Sequence, residues 1–491
     1  MCYDHQIQMR YLDIGVILVY LAGITWFGWR FREGQKSLRD YFLGGRTTPW
    51  WAIAFSIVSA ETSTLTVIGT PAISFNGNFG FLQVVFGYLL ARIVIVTLLL
   101  PHYFRGEIFT AYELMERRFG PRIRRFTAGA FLGLRAMAEG VRVFAISIVI
   151  SIVLGTGEAL SIFLIVCITL FYTFEGGLTA VIWTDVVQMI LYVAGAILSL
   201  FVILDKIPGG WDHIFTVAAA KFTVFDLRTD FLAPDFFSRT YSIWAGVIGG
   251  CFLTTASHGT EQLMVQRLLA ARNEGDSRKA LLTSWGVIFF QFSLFLLIGI
   301  LLFVYYQDAH LAPPNPPDRI YPAFVWEHLP PGVAGLITAA ILAAAMSNLS
   351  AALNSLASTT IMDFVKPLSK RQRSDQEWLS LAKRSTVVWG AILFGIALIA
   401  QGVQSVLQAG LSIASVVYGA LLGVFLLGVL TKRVGESAAI AGMVASLATM
   451  IYVKAGTSIA WTWYVVIGTG VTISVGLLAS LFENKKEPAH V

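Results

Sequence analysis

Apolar residues fall in blocks of about twenty along this chain, long enough as helices to cross a hydrocarbon layer of about 30 Å. About thirteen such blocks predict membrane-spanning helices, at residues 11–31, 50–73, 80–104, 126–154, 158–174, 179–203, 242–266, 281–307, 333–363, 386–401, 406–430, 436–454 and 460–482. The polar connections alternate in charge. Segments 30–46, 105–125, 267–279 and 366–384, Lys432 with Arg433, and Lys485 with Lys486 are rich in cations. Segments 74–79, 155–157, 308–332, 402–405 and 455–459 are poor in them. Basic loops stay cytoplasmic, so the alternation predicts a multi-pass protein of the plasma (inner) membrane with its N-terminus outside and its C-terminus in the cytoplasm.

Two blocks break the apolar pattern. "AFSIVSAETSTLTVIGTPA" (54–72) packs Ser, Thr and β-branched residues around Glu61 and ends in Gly69 and Pro71. "GVIGGCFLTTASHGTEQLMVQR" (246–267) has Gly249 and Gly250, then a polar run through Thr254, Ser257, His258 and Gly259. Both weaken regular helix inside a span, where a break is tolerated only against protein or a cavity. They lie five spans apart, so they open two consecutive units of opposite orientation, the layout of an inverted-repeat transporter with its site at the breaks. The expected organisation is an extra N-terminal helix and linker (1–49), a first five-helix repeat (50–203), an external loop (204–241), a second repeat (242–430), and two C-terminal helices with a tail (431–491). Two kinked but continuous helices would give the same sequence signal.

A third block, "AAILAAAMSNLSAALNSLASTTIMDF" (339–364), is studded with hydroxyls and amides. At about 100° per residue, Ala340, Ala343, Ala344, Ser347, Ser350, Asn354 and Ser358 share a narrow arc, opposite Ile341, Leu342, Leu349, Leu353 and Leu356. Such a stripe suits close helix packing with each Ser bonded to its own backbone. It equally suits a face that offers oxygens to a hard cation, with carbonyls freed by a helix break completing the shell.

Composition agrees with the blocks. The chain is 56% hydrophobic and 13% charged, about half the charge of an ordinary soluble protein, and its mean hydropathy is +0.72. Its net charge of +6 sits mostly in loops and reports topology, so no nucleic-acid partner is expected. Cys2, Cys167 and Cys251 are scattered and predict neither disulfide nor metal cluster. There is no Gly-rich phosphate loop followed by Lys, hence no expected ATP drive, and no catalytic constellation.

Charges inside spans are expensive and mark function by default. Asp185 lies just inside a span; an interfacial position would make it ordinary. Arg135, Glu139 and Arg142 share one helix face, where two cations flanking one anion leave a net positive charge. Either they close a structural network with Glu61, or Arg142 clamps a substrate carboxylate. Arg92 is a further intramembrane charge without a partner in this reading. His258 and Glu261, spaced H-x-x-E, lack the second motif that a di-metal bundle needs and count instead, with Glu61, among candidate substrate contacts.

With these residues in view, the chain resembles the sodium:solute symporters, which have the LeuT-type fold. "DYFLGGRTTPWWAIAFS" (40–56), "YTFEGGLTAVIWTDVVQ" (172–188), "GTEQLMVQRLLAAR" (259–272) and "AAAMSNLSAALNSLASTTIMDF" (343–364) resemble the family's successive motifs, in order. The resemblance implies an all-α protein with the five-plus-five inverted repeat, one extra helix before it and two after. It implies Na⁺ as the co-transported ion, held by backbone oxygens of Ser59, Thr62 and Ala344 and the Ser347 hydroxyl, with Asn348 where the family usually has Ser or Thr. It also implies a possible second Na⁺ at Asp185 and Ser350, although Ala351 replaces a serine there, and solute contacts near Ser63, Thr66 and Gln83.

The expectation is a Na⁺-coupled symporter of a small organic solute, leaning towards an amino acid or organic acid because of Arg142. The alternatives are a Na⁺/sugar symporter, if Arg142 is fully paired, and a proton-coupled carrier titrating Asp185, Glu61 or Glu139. A channel would need a continuous polar pore. A membrane enzyme would have only His258 with Glu261 to work with.

Overall fold

A computed structural model describes residues 10–31, 37–105, 108–401 and 406–483. The cation-poor turn 402–405 and the basic pair Lys485–Lys486 used in the topology reading lie outside these residues. The described chain is all-helical, with one isolated β-bridge between Thr48 and Ala271 and no strand among the described residues.

The helices that bear on the site, in chain order and leaving out several short connecting ones, are α1 (Tyr11–Trp29), α2 (Trp50–Glu61), α3 (Thr64–Asn76), α4 (Leu82–Val94), α5 (Ala111–Phe119), α6 (Pro121–Leu154), α7 (Glu158–Asp205) and α8 (Ile243–Gly259). After them come α9 (Gln262–Leu269), α10 (Glu274–Asp308), α11 (Val333–Thr359), α12 (Asp375–Ile399), α13 (Val406–Leu430), α14 (Glu436–Gly456) and α15 (Tyr464–Ser480). Among the described residues ten helices are long and apolar enough to span a membrane, or eleven with the bent pair α2–α3 as one span. The expected thirteen therefore do not appear as thirteen separate helices. Blocks 158–174 and 179–203 are the two arms of α7, parted by a kink at Gly177, whose φ of 56° and ψ of −158° only glycine adopts readily; the first arm, Glu158–Phe171, is shorter than a spanning helix. Block 242–266 is divided between α8 and α9, each short of spanning length.

Both predicted interruptions are present. α2 stops at Glu61, Thr62 and Ser63 are extended, and α3 leaves at an angle of 61°. α8 stops at Gly259, and Glu261 is extended before α9 begins.

The hydroxyl-studded helix α11 sits at the centre. Of its apolar window within residues Val333–Leu368, 94% is buried in protein, against 22% for α1. Protein surrounds it on all sides, so neither its polar arc nor its Leu arc meets lipid. α11 packs on α7, α6, α1 and the α2–α3 pair. At its N-terminal end, Asp13 of α1 accepts the amides of Gly332 and Gly335, both at 2.6 Å, capping donors that open a helix.

Close approach of backbones sets the rest of the packing. α4 lies against α8 so tightly that a Cβ on Gly87 would stand 2.4 Å from the Val247 carbonyl oxygen, and one on Gly250 2.3 Å from that of Val84. Glycine at both places lets the helices touch, as small residues do in membrane bundles.

Candidate functional site

The break in α2–α3 exposes backbone. The last amide bonded in α2 is Thr62 N, to the Val58 carbonyl at 2.9 Å, and the ladder resumes with Val67 N on the Ser63 carbonyl at 3.1 Å. The carbonyls between lie outside the helical ladder and need partners.

α11 faces this segment. The Ser59 and Ser347 hydroxyls meet at 2.7 Å, and Ser347 donates to Asp185 at 2.5 Å. Asp185 also accepts from Ser56 at 2.5 Å and from Arg267 at 2.9 Å. Ser56, Ser59, Asp185, Ser347 and Arg267 are all buried. A cluster of hydroxyl and carboxylate oxygens results beside the break, with a guanidinium already against the carboxylate. The chemistry of this donor set fits a hard monovalent cation. Ala344 stands one turn before Ser347, fully buried. The Thr62 hydroxyl is occupied, accepting from Gln291 at 2.5 Å.

Most of the polar stripe does not face the break. Ser350, Ser355 and Ser358 each donate to the carbonyl three residues back, at 2.9, 3.0 and 3.1 Å. The packing explanation of the stripe thus holds for these three serines, whereas Ser347, Asn348 and Asn354 reach other helices, Asn354 by accepting from Gln266 of α9 at 2.9 Å. Asn348 donates to the Ala60 carbonyl at 2.5 Å and accepts from Arg135 at 3.0 Å.

Arg135 is the hub of a second cluster. It pairs with Glu139 at 3.0 Å and Glu261 at 3.1 Å; Arg142 pairs with Glu139 at 3.0 Å, and Tyr418 donates to Glu261. Glu261, from the second helix break, balances the charge left over by the Arg135–Glu139–Arg142 face, so the expected net positive charge is absent. Arg135 is the more buried arginine; the Arg135 and Arg142 side chains are 5% and 16% exposed. The Nε atoms of both arginines and one Glu139 oxygen are buried without a partner among the described residues.

Glu61 does not join that cluster. It accepts from Arg92 at 2.6 Å and lies 3.2 Å from His258 Nε2, which accounts for the charge on Arg92. His258 and Glu261 therefore turn to different partners, and among the described residues no three His, Cys, Asp or Glu converge as a metal site. Ser63 and Thr66 are buried with no hydrogen bond from their hydroxyls among the described residues, next to the break. Gln83 is fully engaged, donating to the Gly80 and Tyr241 carbonyls at 3.2 and 2.7 Å and accepting from Asp226 N at 3.1 Å.

Arg267, Arg92 and Tyr418 were not singled out as partners from sequence. The signal for the two arginines was there: a cation inside an apolar block must find an anion.

The sodium:solute symporter family model matches residues 41–446. Over 481 residues the chain is 30% identical to the sodium/sialic acid symporter of Aliivibrio fischeri (strain ATCC 700601 / ES114), covering 96% of this chain and 94% of that protein. Over 463 residues it is 29% identical to the human sodium/iodide cotransporter, covering 91% and 70%. A substrate-bound, outward-open structure of a Na⁺-coupled sialic acid symporter, reported with a novel Na⁺ site, superposes with a TM-score of 0.87 at 28% identity, covering 97% and 99%.

Proposed function

The chain belongs to the sodium:solute symporter family and is a Na⁺-coupled symporter, and on that premise we propose that it carries a small solute bearing a carboxylate by alternating access. The observation that carries this reading is the contact of Ser59 with Ser347 beside freed carbonyls. One Na⁺ there would take oxygens from Ser59, Thr62, Ala344 and Ser347. It would join the first broken helix to α11 and hold the unwound segment in one arrangement. Solute affinity then depends on Na⁺, and reciprocally. At about −100 mV, one inward Na⁺ contributes about 2.3 kcal/mol from the potential, enough for about fifty-fold accumulation.

The solute faces Ser63 and Thr66 at the break, with Arg142 as the clamp and Glu61, His258 and Glu261 as further contacts. Arg142 spends one nitrogen on Glu139 and keeps its Nε unpartnered, which suits bidentate capture of a carboxylate. The relatives named above carry sialic acid and iodide, both anions. Gln83 would act by holding the 204–241 segment in place. A second Na⁺ at Asp185 and Ser350 would have to displace Arg267, so the reading favours one ion per cycle. The proposed framework is thirteen spans, with inverted repeats at 50–203 and 242–430, flanking helices at 1–49 and 431–491, the external segment 204–241, and a cytoplasmic C-terminus.

The test is thermal shift of the purified protein with N-acetylneuraminate, lactate and glucose, each in NaCl and in choline chloride. A solute shift confined to the acids and to Na⁺ supports the reading. A shift for glucose alone, or equal shifts in both salts, overturns it.

A further inference from the structure

Asn348 occupies a position adjacent to the Na⁺ ligand Ser347, and its atoms point elsewhere. Its Oδ1, the one side-chain atom able to coordinate a cation, accepts from Arg135 Nη2 at 3.0 Å. Its Nδ2 donates to the Ala60 carbonyl at 2.5 Å. The two bonds fix the amide orientation consistently, because a guanidinium only donates and a carbonyl only accepts. Asn348 is 2% exposed and Arg135 4%, so water does not compete for these bonds.

The same Arg135 holds Glu261 in the second helix break at 3.1 Å and Glu139 of its own helix at 3.0 Å. A continuous polar chain therefore runs from Glu261 through Arg135 and Asn348 to Ala60. Ala60 lies between Ser59 and Thr62, which supply ion oxygens in the reading above. A serine or threonine at 348 is too short to span from Arg135 to that carbonyl while sitting on the same helix turn.

We propose that Asn348 is a coupling residue and not a Na⁺ ligand: it transmits the position of the Arg135 charge cluster, where the solute docks, to the unwound backbone that binds Na⁺. This rests on the Na⁺ site proposed above. A change in how Arg135 is engaged, by solute or by mutation, shifts the Ala60 carbonyl and with it the neighbouring ligand oxygens.

The test uses Na⁺ alone, titrated as NaCl against choline chloride at constant ionic strength, on the full-length protein in detergent. Asn348→Ala should change the Na⁺ Kd by less than about three-fold, whereas Ser347→Ala should weaken it by ten-fold or more. Arg135→Gln should alter the Na⁺ Kd at least about three-fold in the natural protein and less than about 1.5-fold in the Asn348→Ala background, the non-additivity that marks direct coupling. Where Arg135→Gln does not fold, Arg135→Lys replaces it, keeping the charge and losing the fork. Asn348→Asp, which keeps an oxygen for Arg135 and loses the donor to Ala60, should uncouple as the alanine does.

The inference is overturned if Asn348→Ala weakens Na⁺ binding as much as Ser347→Ala, if the Arg135 and Asn348 effects simply add, or if Arg135 substitution leaves the Na⁺ Kd untouched. If Ser347→Ala leaves Na⁺ binding unchanged, the Na⁺ site itself is misplaced, a separate outcome that overturns both.

Discussion

Ser59 and Ser347, 288 residues apart in the chain, meet hydroxyl to hydroxyl at 2.7 Å. Ser59 stands where α2 is about to unwind, and Ser347 sits on the most enclosed helix of the bundle. Their contact places freed backbone oxygens against a fixed scaffold. Removing either hydroxyl deletes an oxygen and leaves the fold, since neither side chain anchors a helix end.

Ser347→Ala should therefore raise the Na⁺ concentration for half-maximal uptake ten-fold or more, equivalent to about 1.4 kcal/mol or above. Thermal stability in choline should fall by about 1–3 kcal/mol, because buried Asp185 loses one donor while keeping Ser56 and Arg267. Uptake with an unaltered Na⁺ requirement would contradict the proposed ion shell.

Asp185 and Arg267 form a buried pair at 2.9 Å. Replacing Asp185 by Asn strands a guanidinium in the bundle, and breaking a buried pair from one side costs about 3–5 kcal/mol. Asp185→Asn should lower the melting temperature steeply, and the double variant Asp185→Asn with Arg267→Gln should recover part of the loss. In the natural protein the Na⁺ dependence of uptake should follow a Hill coefficient near one, because the pair occupies the candidate second ion site. A coefficient near two would show that Arg267 yields to a second Na⁺.

Arg142→Gln should weaken transport of an acid solute by about ten- to a hundred-fold, the loss of a charge-assisted bidentate contact. Na⁺ binding measured without solute should stay within about two-fold. Equal loss for neutral and acidic solutes would assign Arg142 to the structural network with Glu139.

Gly87→Ala should destabilise the protein by several kcal/mol or prevent its accumulation, because the new methyl would stand 2.4 Å from the Val247 carbonyl oxygen and the two helix backbones cannot part locally. Gly133→Ala, with nothing within 4 Å of the added carbon, should be neutral or slightly stabilising. Similar melting temperatures for the two variants would refute the packing argument.

Lys221 of the 204–241 segment donates to the Phe75 and Gly77 carbonyls at 2.7 and 3.1 Å, and its ammonium lies 4.0 Å from the Phe303 ring centroid. It satisfies carbonyls at the end of α3 that the helix itself leaves open. Lys221→Met keeps the stem against Phe303 and removes the donors. Hydrogen exchange at the end of α3 should then accelerate by about ten-fold, as for loss of about 1.4 kcal/mol of local stability. Unchanged exchange there would show that the bonds carry no weight.

The all-helical membrane character and the two helix breaks were legible in the chain itself. Block length reports the thickness of the solvent each helix must cross. Glycine and hydroxyl runs report where backbone bonding fails. Both are local properties, written in consecutive residues. The number of spanning helices was not legible, because whether a block crosses as one rod or as two short arms depends on breaks such as those at Gly177 and Thr260.

Pairing was decided only by the tertiary structure. One of two readings set Glu61 beside Arg135 and Arg142, yet Arg92 and His258 hold it; Glu261, met as half of an H-x-x-E motif, instead pairs with Arg135. Ser350 and Ser358 share an arc with Ser347 but bond to their own helix, and Asn348 turns away from it towards Ala60. Sequence periodicity shows which face of a helix a residue occupies. Which neighbour that face meets depends on how helices far apart in the chain pack, and a buried charge is stable only beside the partner that packing delivers.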